Sequence, residues 1–116
     1  MPKSSKPVKK PIFKNITTND AFKLIEKHEN DTNLVILDVR TLEEFSEEHI
    51  EGAKNIDFYS PDFENQLNKL DKEKKYLIYC ASGGRGTKAM KKMENLGFME
   101  VYNIEGGFML WCINKL

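Results

Sequence analysis

Cysteine is scarce in this chain: Cys80 and Cys112 are the two in 116 residues. Two cysteines cannot build the disulfide framework of a small secreted domain. The two histidines, His28 and His49, stand far in sequence from each other and from both cysteines. No C-x-x-C or H-x-x-H spacing results, so no metal site is expected. Long apolar runs are missing as well, and nothing approaches the ~20 residues of a membrane-spanning helix. An excess of one charge is also absent. The 18 basic residues are matched by 18 acidic ones, which argues against nucleic acid as the main partner.

What remains is enough for one domain and not two, with a core that needs neither disulfide nor metal. The first eleven residues, Met1 to Pro11, are rich in lysine and proline and carry no apolar stretch of the signal-peptide kind. They are expected to form a flexible basic tail, with residues 12–116 as the folded unit. A cytoplasmic monomer is the expectation, and an exported form whose leader has been removed is left open.

Periodicity alternates along the chain. Ile12–Ile16 reads as a short strand. Thr17-Thr18-Asn19-Asp20 reads as a helix start with a capping-box-like pair, and Ala21, Phe22, Leu24 and Ile25 supply an apolar stripe up to about Glu29. Leu34–Val39 is a continuous β-branched run of the kind buried on both faces of a parallel sheet. A glutamate-rich helix is expected from about Thr41 to His49, and a strand from Ala53 to Phe58. A third helix should start at Ser60-Pro61 and carry Phe63, Leu67 and Leu70. Lys75–Tyr79 is a strand ending at Cys80. The helix after it uses Ala89, Met90, Met93 and Leu96 and stops at Gly97. Val101–Ile104 is the last strand, and Gly106-Gly107 turns into a final helix with Phe108, Trp111 and Leu116. The order β-α-β-α-β-α-β-α-β-α predicts an α/β domain: about five strands, mainly parallel, with helices on both faces.

The chemistry concentrates after the strand that ends at Cys80. In open α/β sheets ligands bind at the carboxyl ends of strands, where Cys80 stands. Ala81, Ser82, Gly83, Gly84, Arg85, Gly86 and Thr87 follow it and lead into a helix. The glycines allow the backbone to curl its N–H groups toward one point, and the helix aims its N-terminus at the same place. A free thiol titrates near 8.5, so only ~3% is thiolate at pH 7. Lowering such a value by two units takes roughly 2.7 kcal/mol, whereas a helix terminus supplies about 0.3–1 kcal/mol. Loop amides together with Arg85 are expected to supply the rest. A lone cysteine at a strand end is usually a small core hydrophobe; followed by this loop it reads as a nucleophile.

At this point the chain resembles a single-domain rhodanese, from about Phe13 to Trp111. The parts come in that family's order: Leu37-Asp38-Val39-Arg40, Glu43-Glu44-Phe45, His49–Ile56, the loop Cys80–Arg85, and Gly106-Gly107-Phe108 with Trp111. The resemblance implies a sulfurtransferase. Cys80 would take a sulfane sulfur from thiosulfate or a persulfide, become a persulfide, and pass the sulfur to cyanide or a thiol. The loop amides would stabilise the anion, Arg85 would attract an anionic donor, and no cofactor or metal would be required. Four residues separate Cys80 from Arg85. Phosphatases and arsenate reductases that resemble the same fold carry five, so the shorter loop favours sulfur over phosphate. A sulfur carrier that delivers its persulfide to a protein partner is the second expectation, and an idle interaction module is the third.

Two departures stand out. Ala81 occupies a position where many thiosulfate-using members carry arginine. Gly86 stands where serine or threonine is common, with Thr87 expected to cap the helix instead. Elsewhere the plain readings prevail. Asp38 should cap local amides, and Arg40 should pair with Glu44 or Glu51. His49 has no proton to manage, Cys112 packs as a hydrophobe, the glutamates from Glu43 to Glu48 form a solvated face, and Trp111 anchors near the site.

Overall fold

The strands hydrogen-bond to one another in a single parallel sheet. In the computed structural model, which describes residues 10–115, the elements are β1 (Ile12–Ile16), α1 (Thr18–Lys27), β2 (Leu34–Asp38), α2 (Leu42–Glu47), β3 (Lys54–Asn55), α3 (Phe63–Asn68), β4 (Lys75–Tyr79), α4 (Gly84–Asn95), β5 (Glu100–Ile104) and α5 (Gly107–Asn114). The five strands lie in the order β1-β5-β4-β2-β3, and every described pairing is parallel. The expected tail falls outside the described residues except for positions 10 and 11, which are exposed coil.

Burial on both faces explains the continuous apolar runs. Along β4, Tyr76, Ile78 and then Cys80 point into a core with Phe63 and Leu67 of α3 and Ala89 and Met93 of α4. The alternate residues Leu77 and Tyr79 point into a second core with Ala21 of α1 and Trp111 of α5. Trp111 stacks on Phe22 with ring centroids 4.0 Å apart, which ties α1 to α5. The two cores fix the thiol's side of the sheet: Cys80 faces the α3–α4 layer.

Several boundaries differ from expectation. The strand predicted over 53–58 contracts to Lys54–Asn55. There the side chain of Asn55 donates to the carbonyls of Asp38 and Arg40, both at 2.9 Å, beside backbone bonds from the Ile56 amide to the Asp38 carbonyl at 3.0 Å and from the Phe58 amide to the Val39 carbonyl at 3.1 Å. The glutamate helix stops at Glu47. The third helix begins at Phe63, because Ser60 first makes a turn whose hydroxyl accepts from the Asp62 amide at 3.1 Å. Thr17 caps α1 by accepting from the Asp20 amide, as its spacing predicts.

Candidate active site

Cys80 is the first residue past β4, and its neighbours set its surroundings. The chain leaves the strand through Ala81 and Ser82 and reaches Gly83, which adopts φ +113° as the N-cap of α4. That left-handed geometry suits glycine and no β-branched residue. It swings the Gly83 amide back to donate to Cys80 Sγ at 2.9 Å. The cysteine is 1% exposed, so its sulfur is buried beneath the loop. No side chain caps α4. Thr87, expected in that role, instead donates its hydroxyl to the Gly83 carbonyl at 2.9 Å from within the first turn. The amides at the start of α4 therefore have no side-chain competitor.

A second glycine turn clamps the loop from behind. Gly106 (φ +76°) caps α5, and Gly107 (φ +60°) starts it. The amide of Phe108 donates to the Cys80 carbonyl at 2.7 Å, and that of Met109 to the Ala81 carbonyl at 3.0 Å. A Cβ on Gly107 would fall 2.4 Å from the Cys80 carbonyl oxygen. No side chain fits there. With α5 holding the carbonyls of Cys80 and Ala81, the Gly83 amide is the loop amide that meets the sulfur.

Gly86 is required for a different reason. A Cβ there would lie 2.1 Å from Oδ1 of Asn103, a buried residue of β5. Asn103 Nδ2 donates to Asn15 Oδ1 at 3.0 Å, while its Oδ1 has no hydrogen-bond partner. The glycine thus lets the first turn of α4 lie directly against β5.

Arg85 is fully engaged. It forks onto Glu44 through Nη1–Oε1 at 2.9 Å and Nη2–Oε2 at 3.2 Å, and its guanidinium stands 5.5 Å from the ring centre of Tyr59. Glu44 also closes a capping box with Thr41 at the start of α2. The Arg85 bonds, followed in influence by burial acting the other way and by Thr41, leave the Glu44 carboxyl titrating at about 2. Arg85 in turn is held protonated, first by Glu44.

The second arginine pair corrects an expectation. Arg40 bonds neither Glu44 nor Glu51. It forks onto Asp38 (Nη2–Oδ2 2.7 Å, Nε–Oδ1 3.0 Å) and donates to the Glu48 carbonyl at 2.6 Å. Asp38 also accepts from the Arg40 amide, the capping role expected of it. The Arg40 guanidinium sits 4.4 Å from the ring centre of Phe108, the residue whose amide holds the Cys80 carbonyl. The pair thus braces the clamp without touching the sulfur. Trp111 stands on the opposite sheet face from Cys80, and Cys112 packs half-buried beside it. His49 is exposed, stacks on Phe45 and donates to its carbonyl.

The structure places Cys80, Ala81, Ser82, Gly83, Gly84 and Arg85 in one turn, with the Gly83 amide on the Cys80 sulfur and Gly86 and Thr87 in the first turn of α4 behind it. Glu44, Gly107 and Asn103 belong to the same assembly and escape a linear reading. The Thr41-x-x-Glu44 capping pattern and the glycine doublet were the available signals. An open cleft of about 900 Å³ passes His28, Leu34, Ile50 and Lys54, and Cys80 does not line it. Among the described residues no group of three His, Cys, Asp or Glu side chains could hold a metal ion.

The chain is similar to known proteins along most of its length. Residues 21–114 match the Rhodanese-like domain family. The thiosulfate sulfurtransferase GlpE of Coxiella burnetii is 33% identical over 100 residues, covering 86% of this chain and 88% of that protein. The putative sulfur carrier protein YrkF of Bacillus subtilis is 36% identical over 92 residues, covering 79% of this chain and 48% of that protein. The crystal structure of a rhodanese-like domain protein from Staphylococcus aureus superposes with a TM-score of 0.69 at 35% identity, over 84% of this chain and 90% of that one.

Proposed function

This chain belongs to the rhodanese-like domain family, and from that premise we propose that it is a sulfurtransferase working through a persulfide on Cys80. The carrying observation is the Gly83 amide aimed at Sγ while α5 occupies the carbonyls of Cys80 and Ala81. In the first half-reaction the Cys80 thiolate attacks the outer sulfur of a donor. The donor's S–S bond breaks, releasing sulfite from thiosulfate or a thiolate from a persulfide. In the second, cyanide or a thiolate attacks the outer sulfur of the Cys80 persulfide and Cys80 leaves as a thiolate. Both steps are nucleophilic displacements at sulfur, so neither asks for a cofactor. The charge stays on sulfur throughout, next to preorganised loop amides.

A second reading is favoured by one observation. Glu44 neutralises Arg85, and Ala81 adds no charge, so neither offers a free cation to a dianionic donor. That suits a sulfur carrier with slow turnover on thiosulfate. In either reading the protein acts as a cytoplasmic monomer.

The deciding experiment is intact-protein mass after incubation with thiosulfate, and separately with glutathione persulfide, followed by cyanide. The expected result is a gain of one sulfur that cyanide removes, abolished in Cys80→Ser and retained in Cys112→Ser. No gain with either donor would refute both sulfur readings.

A further inference from the structure

The exposed large apolar side chains gather at the thiol end of the molecule. Among the described residues they are Leu42, Tyr59, Met109, Leu110 and Ile113, with exposures from 38% to 67%. Leu42 opens α2, the helix whose Glu44 holds Arg85. Tyr59 lies against the Arg85 guanidinium. Met109 and Leu110 sit in the first turn of α5, where the Met109 amide holds the Ala81 carbonyl, and Ile113 follows Met109 one helical turn later. The three segments that touch the Cys80 loop thus carry an apolar collar around it. An exposed apolar group rimmed by charge marks an interaction surface.

Charge narrows the occupant. The collar segments carry exposed Glu43, Glu47, Glu48 and Glu105, against Lys88 on α4 and Lys115 at the end of α5. Arg85, the arginine of the loop, is neutralised by Glu44. A small dianion finds little to attract it here, whereas a polypeptide with apolar and basic residues complements both features.

Resting on the sulfurtransferase reading, we propose that the sulfur acceptor is a cysteine of a protein segment flanked by apolar and basic residues, which docks on the collar of Leu42, Tyr59, Met109, Leu110 and Ile113. The acceptor thiolate, formed by loss of its proton to water, attacks the outer sulfur of the Cys80 persulfide. The new S–S bond forms as the Cys80 Sγ–S bond breaks. Cys80 departs as a thiolate and the acceptor becomes the persulfide, so no oxidant or reductant is consumed.

The test uses the full chain loaded with one sulfur by glutathione persulfide, with loading verified by mass. Discharge rates are measured with three probes at equal thiolate concentration: a peptide with Cys flanked by Leu and Lys, a peptide with Cys flanked by Gly and Glu, and glutathione. The Leu/Lys peptide is expected to discharge Cys80 at least tenfold faster than the other two. Leu42→Ser combined with Ile113→Ser should erase that preference while cyanide discharge changes less than twofold. Equal rates with all three probes, or a preference that survives the double variant, would overturn the collar proposal alone, because cyanide discharge independently reports the sulfur chemistry. A dimer in sedimentation that the double variant dissolves would also overturn it, by assigning the collar to a second copy. Failure to load at all would instead strike the sulfurtransferase reading.

Discussion

Two helices in this molecule begin the same way and serve opposite ends. Both α4 and α5 start at a left-handed glycine, Gly83 and Gly106, and neither has a side-chain cap. Each therefore presents unpaired backbone N–H groups. Those of α5 are taken up by the carbonyls of Cys80 and Ala81, whereas the Gly83 amide of the α4 turn meets the sulfur. One glycine turn builds a clamp and the other a receptor. The difference lies in what faces each turn: backbone carbonyls in one case, a cysteine side chain in the other. A glycine-rich helix start becomes a candidate anion site only when no protein carbonyl already fills it.

The largest test removes the clamp. Gly107→Ala places a Cβ against the Cys80 carbonyl at a left-handed φ and should cost roughly 3–5 kcal/mol. The melting midpoint should fall by more than roughly 10 °C, with sulfur loading lost. A variant with normal stability and loading would dissolve the contrast between the two turns.

Gly86→Ser tests the close packing of α4 on β5. It should cost roughly 1–3 kcal/mol. Adding Asn103→Ala should relieve the clash with Oδ1 and so recover part of that, offset by loss of the Asn103 Nδ2 bond to Asn15 Oδ1. Chemical denaturation of the single and double variants measures the coupling directly. Strict additivity would show that the contact is not what demands glycine.

A smaller effect should follow from pH. Glu44 titrates at about 2 in the folded chain, against 4.5 as its ordinary value. A depressed carboxylate contributes stability above its unfolded value and loses it as pH falls through the folded one. The native chain should lose stability between pH 4.5 and about 2 that Glu44→Gln does not, read as a converging pair of melting curves. The pair is partly exposed, so high salt should narrow the gap.

The smallest effect is expected at Gly84, the first residue of α4, where a Cβ meets nothing within 4 Å. Gly84→Ala should raise stability by about 0.5–1 kcal/mol. If it also slows loading, the open space above the receptor turn is where the donor approaches.

Much of this site is legible in the chain because its signals are local. Strands β2 and β4 read as apolar runs because both faces are buried, and the Cys80 loop reads from the residues that follow it. What escaped depends on a neighbour distant in sequence. Glu44 reads as part of a solvated face or as a partner for Arg40, whereas α2 brings it to Arg85. Arg40 found Asp38, two residues away, instead of the glutamates further along, because the turn after β2 folds its side chain back. The demand for glycine at 86 and 107 comes from Asn103 and from the Cys80 backbone, which no local pattern contains.

The clamp also has a consequence in time. The carbonyls of Cys80 and Ala81 are held by amides encoded 28 residues further on, from Cys80 to Phe108, and β1 pairs with β5 across the length of the domain. During synthesis, Cys80 is made well before the residues that shape its surroundings. Its loop is assembled only when α5 docks, so a nascent or truncated chain carries the cysteine without the clamp that shapes its surroundings.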